Sequence, residues 1–262
     1  MYDGDVTATG KNIYPGIVSD DAGCSIEIEG GTLTANGGDA VNVDTSGGAA
    51  MQGSGTITIN GGTVNLFGGN GAMGTSMGDS GGQGILASAG GSITINGGTV
   101  NATGGNANAS AGYGLQSVET IAINGGTITA KSLGKAGVGI SGDANISLKG
   151  ATTSVTATGA MHGILAYGAI TCDGATVFGK ATDNNSHGIE APTISYKSGV
   201  IEGEGGPGSG NGFNGTVTNN SGSTKTLGYK SDAGDAWTGE DVISGNNVAT
   251  FTRYMILPKP AD

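Results

Sequence analysis

The sequence predicts an all-β fold, a right-handed single-stranded parallel β-helix (β-solenoid) with three strands per coil, about seven to eight coils and a C-terminal cap. The first observation behind this is a repeated unit. It reads Cys24-Ser-Ile-Glu-Ile-Glu-Gly-Gly-Thr-Leu, Thr56-Ile-Thr-Ile-Asn-Gly-Gly-Thr-Val, Ser92-Ile-Thr-Ile-Asn-Gly-Gly-Thr-Val and Thr120-Ile-Ala-Ile-Asn-Gly-Gly-Thr-Ile. The second is its period. Weaker copies follow at Ile146, Ile170, Ile194 and Val217, and from Ile121 onward the spacing is 23 to 25 residues, the length of one solenoid coil. The third is composition. Gly supplies 56 of 262 residues with only 5 Pro and no Gly-X-Y period, which excludes collagen. The abundant Asp, Asn, Ser and Thr suit exposed strands and tight turns far better than helices.

The elements follow in chain order. Tyr14-Pro-Gly-Ile reads as the third strand of an initial coil. Within each later coil the first strand is Ile-x-Ile, and alternation points Ile57 and Ile59 inward. Asn60, Asn96 and Asn124 then recur before the double Gly, where Asn tolerates a left-handed backbone and its amide can pair with the next coil. Glu29, Lys149, Asp173 and Lys197 hold this place elsewhere, so the ladder is expected only in the middle coils. The second strand is the Thr-Val run, with Val64 inward, and the third is the Gly-Ile pair at Ile85, Leu115, Ile140, Ile164 and Ile189. Long insertions, Gly68 to Gln83 and Gly104 to Tyr113, fall between second and third strands and are expected to project from one edge, where solenoids place binding surfaces. Coils are expected over 1–222. Residues 223–262, with the alternating Thr250-Phe-Thr-Arg-Tyr-Met-Ile-Leu, read as the cap of the same domain, shielding an open edge.

Cys24 and Cys172 are both expected inside the first strand, about five coils or roughly 24 Å apart, hence as buried free thiols. The formal charge of -11, with a single Arg and nine scattered Lys, excludes a phosphate-neutralising stripe and so nucleic acid. A cationic partner is more natural. No signal peptide, anchor or membrane span is read in the chain, so no membrane insertion is expected.

Candidate sites come from columns of equivalent residues. The position before each Gly-Ile pair is read as Asp39, Gln83, Tyr113, Val138, His162, His187 and Asn211, a column containing both histidines. His162 and His187, one coil apart and near Glu190 and Asp183, could hold a transition metal or sugar hydroxyls; with Tyr113 they form the candidate carbohydrate site. Calcium is the other expectation, because Asp and turn carbonyls supply hard oxygen ligands; Asp39 and Asp44 flank one candidate turn, and Asp183 with Asn184 and Asn185 makes another.

The Ile-Thr-Ile-Asn-Gly-Gly-Thr-Val repeat, the Gly-Ile third strand and the terminal Tyr-containing strand, over about Cys24 to Leu257, resemble the bacterial cell-surface carbohydrate-binding β-helices related in fold to pectate lyases. That resemblance implies a calcium-assisted, non-catalytic module for acidic polysaccharides, extracellular or at the cell surface, a monomer or part of a larger surface protein. It also implies Asp before Gly-Ile, which this chain keeps at Asp39 alone. A lyase-like base is not seen, since Arg253 falls in the cap. Carboxylate pairs for a hydrolase reduce to Glu190 with Glu202 or Asp173 with Asp183. An adhesin or scaffold with no sugar ligand is the alternative. The outward hydroxyls of the first strand, from Thr56 to Ser195, would suit an ice-binding face but are interrupted at Glu27, Ala122, Asn145 and Ala169.

Overall fold

In a computed structural model the chain is all β. The structure describes residues 4–21, 23–42, 45–72, 79–132, 134–222, 225–242, 246–247 and 253–260. Three ladders of parallel strands wind into a β-helix of about eight coils. The first ladder runs in register through Ile26, Ile57, Ile93, Ile121, Ile146, Ile170, Ile194 and Val217. The second begins at Asp5–Thr9 and runs through Leu33, Val64, Val100, Ile128, Val155, Val177 and Ile201. The third starts at Ile17–Ser19, as the Tyr14-Pro-Gly-Ile segment predicted, and passes through Met51, Ile85, Leu115, Ile140, Ile164, Ile189 and Phe213. In the later coils the strands fuse around the corners, as in Ala169–Ala181 and His187–Glu204.

Period-two alternation explains the core. Ile57, Ile59, Val64, Leu66 and Ile85 are fully buried, and the stacked coils join such residues into aliphatic columns that no single coil could close. The corner between first and second strands is made by the second residue of the double Gly. Gly62, Gly98 and Gly126 have φ of 84°, 84° and 91°, a region costly for any residue with a Cβ. The left-handed residue is therefore that glycine and not the preceding asparagine. Asn60, Asn96 and Asn124 do form the amide ladder: Asn96 Nδ2 donates to Asn60 Oδ1 at 2.8 Å and Asn124 Nδ2 to Asn96 Oδ1 at 3.0 Å. Asn60 Nδ2 ends it on Glu29 Oε1 at 2.9 Å.

Cys172 is buried at the level of Leu148 and Tyr196, but Cys24 is exposed. It lies two residues before Ile26, in the turn entering the first strand of its coil, so the expectation of two buried thiols is corrected at Cys24.

The insertions do not simply project. Their described parts stack into a side lobe of glycine arms. Gly48 N–H donates to Gly38 O, Gly69 to Gly48, Gly82 to Gly69, Gly105 to Gly82 and Gly112 to Gly105, all at 2.8–2.9 Å, so outgoing and returning arms alternate. A Cβ on Gly82 would lie 1.8 Å from Gly48 O, and one on Gly105 2.0 Å from Gly69 O. Glycine is required there by close backbone approach, with no turn involved. Ala72, Ala107 and Ala111 fill the lobe, and Asp79 is fully buried in it, its carboxylate oxygens without a hydrogen-bond partner among the described residues.

At the C-terminal end, Tyr254–Leu257 pairs antiparallel with Ile201–Glu204, and Asn246–Asn247 with Thr216 and Val217. The cap thus blocks the last coil's edges.

Candidate functional site

The register redraws the column before the third strand. Ile85 faces Met51, so the residue that precedes Gln83 in the column is Ala49, and Asp39 belongs to the turn after Thr32–Asn36. Asp39 Oδ1 accepts from Asn70 N–H at 2.6 Å, and Asn70 Oδ1 from Asn106 N–H at 2.9 Å. Asp39 thus opens a structural ladder among the arms. Asp183 lies exposed in the equivalent turn after Ala169–Ala181. The two turns are five ladder steps apart, through Asn36, Phe67, Thr103, Lys131, Thr158 and Lys180, or roughly 24 Å at 4.8 Å per step. Asp39 and Asp183 therefore lie in separate turns, as the sequence places them. Asp44 lies outside the described residues. Among the described residues no three His, Cys, Asp or Glu side chains group to hold a metal.

The histidines do converge. His162 and His187 are in register, with stacked rings whose centroids are 6.0 Å apart. Glu190 Oε2 lies 3.5 Å from His162 Nδ1 and 3.9 Å from His187 Nε2. Glu190 sits here because Ile189 and Ala191 point into the core, which turns the residue between them outward. Both histidines are pushed below the ordinary range, chiefly by burial; Glu190 opposes this, and His187 adds to the lowering at His162. The geometry agrees. Asn211 N–H donates to His187 Nδ1 at 3.1 Å, so that nitrogen carries no proton and the ring is neutral. His162 Nδ1 and Asn211 Oδ1 are buried without a hydrogen-bond partner among the described residues.

Beside this cluster the outer face of the third ladder opens into a cleft of about 330 Å³. Leu165, Glu190 and Asn214 stand in register along it, and Tyr167, Pro192 and Gly215 form its rim. Tyr167 is 66% exposed. Tyr113 is half-buried, two coils from His162 in the same column, with its hydroxyl pushed up by burial first and then by Tyr167 and Asp143. Of the expected sugar-site residues the structure gathers His162, His187 and Glu190, while Tyr113 stands two coils away in the same column. Tyr167, Pro192 and Asn214 were missed, because none recurs in its column and repeat reading weights recurrence.

The proposed carboxylate pairs separate. Glu190 is on the third ladder, whereas Glu202 lies on the second, beside Glu204 and Lys230. Arg253 is engaged in the cap, its Nη2 3.1 Å from Glu204 Oε1 and its Nε donating to Gly205 O at 3.0 Å. Compared with known proteins, the chain matches no family model, no curated protein and no solved structure.

Proposed function

We propose that this β-helix is a non-catalytic glycan-binding module acting outside the cell or at its surface, with sugar held on the outer face of the third ladder. The cleft carries the proposal. An exposed aromatic ring, a proline, a carboxylate and an amide meet there, and a sugar presents an apolar C–H face and hydroxyls to the same mixture. Calcium-bridged capture of acidic polysaccharide, which the family resemblance implies, has less support. Asp39 Oδ1 is taken up by Asn70 N–H, and Glu190 repels a uronate unless a cation intervenes. Catalysis is not part of the proposal, because Arg253 is held by Glu204 and the neighbours of Glu190 in its column, Leu165 and Asn214, carry no carboxylate.

A spacer or adhesin role without sugar is favoured by one observation. Polar side chains of the first and second ladders bond to one another, through the Asn60, Asn96 and Asn124 ladder and through Asn101 Nδ2 to Asn65 Oδ1 at 2.9 Å. The two roles separate on an array of plant, microbial and host glycans, probed with calcium and with chelator. The expected result is capture of a glycan class that survives chelation and falls about tenfold in Tyr167→Ala. No capture under either condition leaves the spacer role, and capture of acidic glycans only with calcium returns the site to the aspartates.

A further inference from the structure

We infer that the cleft selects a sugar bearing a free ammonium group, an amino sugar of the glucosamine class, with the Glu190 carboxylate as its counter-ion. This rests on the glycan binding proposed above and names the ligand chemistry within it.

The inference starts from an unbalanced charge. Among the described residues, the ion-pair contacts of Glu190 are His162 and His187 and include no lysine or arginine. Four cations are engaged elsewhere. Lys180 and Arg253 share Glu204, Lys197 lies against Asp173, and Lys230 Nζ sits 4.6 Å from the Trp237 ring centre. His187 cannot take up the role without losing the hydrogen bond from Asn211 N–H, because protonation would place a second donor on Nδ1. His162 is 8% exposed and its Nδ1, at 3.5 Å from Glu190 Oε2, is beyond a good hydrogen bond. The carboxylate therefore faces the cleft with the His162 and His187 rings behind it and, among the described residues, no lysine or arginine beside it.

A ligand cation meets that deficit. Glu190 keeps about a third of its side chain exposed, enough to be reached from the cleft, yet it stands between His162 and Leu165 on one coil and Asn214 on the next. A hydrogen bond from an ammonium to a carboxylate in such a half-buried place is among the stronger single contacts a sugar can make. Tyr167 adds to it, since the face of an aromatic ring attracts a nearby cation as well as a C–H face. The whole-chain charge of -11 draws a polycationic chain in and repels a polyuronate.

Calorimetric titration of the full chain tests this, at pH 6.5 and moderate salt, with a glucosamine hexamer, an N-acetylglucosamine hexamer and a galacturonate hexamer. The expected result is that the glucosamine hexamer binds roughly tenfold tighter than its N-acetylated counterpart and that the galacturonate does not bind. Glu190→Gln is expected to erase that preference and Tyr167→Ala to weaken both neutral and cationic hexamers. Glu190 points outward, so Gln is tolerated by the fold, which an unchanged melting temperature checks. Equal affinity for the two glucosamine forms, or a preference that persists in Glu190→Gln, overturns the ammonium assignment while leaving glycan binding in place. Absence of binding to every hexamer overturns both.

Discussion

Asn96 donates its amide to Asn60 and accepts from Asn124, so one side chain ties three coils together. Replacing it with Ala removes two part-exposed hydrogen bonds and is expected to cost about 1–3 kcal/mol, read as a lower midpoint in urea at unchanged slope. The thiols give a sharper check. Burial, then Asp173, pushes Cys172 up to about 12, whereas Cys24 is exposed. Native protein is therefore expected to take up one equivalent of iodoacetamide, at Cys24, and a second only on unfolding. The histidines give the pH dependence. Their folded values lie below the unfolded 6.5, so the unfolded chain binds protons more readily and stability falls as pH drops below about 6.5. Around them stand Glu190, Asn211 and each other. The expected readout is a smaller fall in melting temperature between pH 7.5 and 5 for His187→Gln than for the parent chain. At this scale the asparagine ladder was legible because its residues recur. The position of Cys24 was not, since it lies in the turn before Ile26, which inward alternation does not govern.

At the scale of elements, the three strand classes and their inward residues could be read directly, because a period of two and a stack of coils leave few alternatives for Ile57, Ile59 and Val64. The arms were read only as insertions. Their signal was present as glycine pairs at each end of the excursion, Gly68-Gly69 with Gly81-Gly82, and Gly37-Gly38 with Gly47-Gly48. Taken as turn residues, these hid a lattice in which carbonyls of neighbouring arms occupy the space of a side chain. Gly82→Ala is accordingly expected to destabilise at the upper end of roughly 1–3 kcal/mol by forcing backbone apart. Gly234→Ala, with nothing within 4 Å of the new methyl and no positive φ, is expected to be neutral in the same melting experiment. Equal effects at the two sites contradict the lattice.

The whole molecule is a stack of coils with a cap at its C-terminal end, where Ile201–Glu204 is covered by Tyr254–Leu257 and clamped where Lys180 and Arg253 meet Glu204. Loosening that clamp with Arg253→Ala frees a parallel edge and is expected to raise the self-associated fraction in light scattering. The fold was legible at this scale because one period governs nearly every coil. The cleft was not, since it arises from three neighbouring coils whose residues Tyr167, Pro192 and Asn214 share no pattern. The most direct measurement is oxidative side-chain footprinting with saturating glucosamine hexamer, comparing two tyrosines of the same 66% exposure. Protection of Tyr167 with Tyr14 unchanged is the expected result. Protection of neither, or of both alike, contradicts a sugar site on the third ladder.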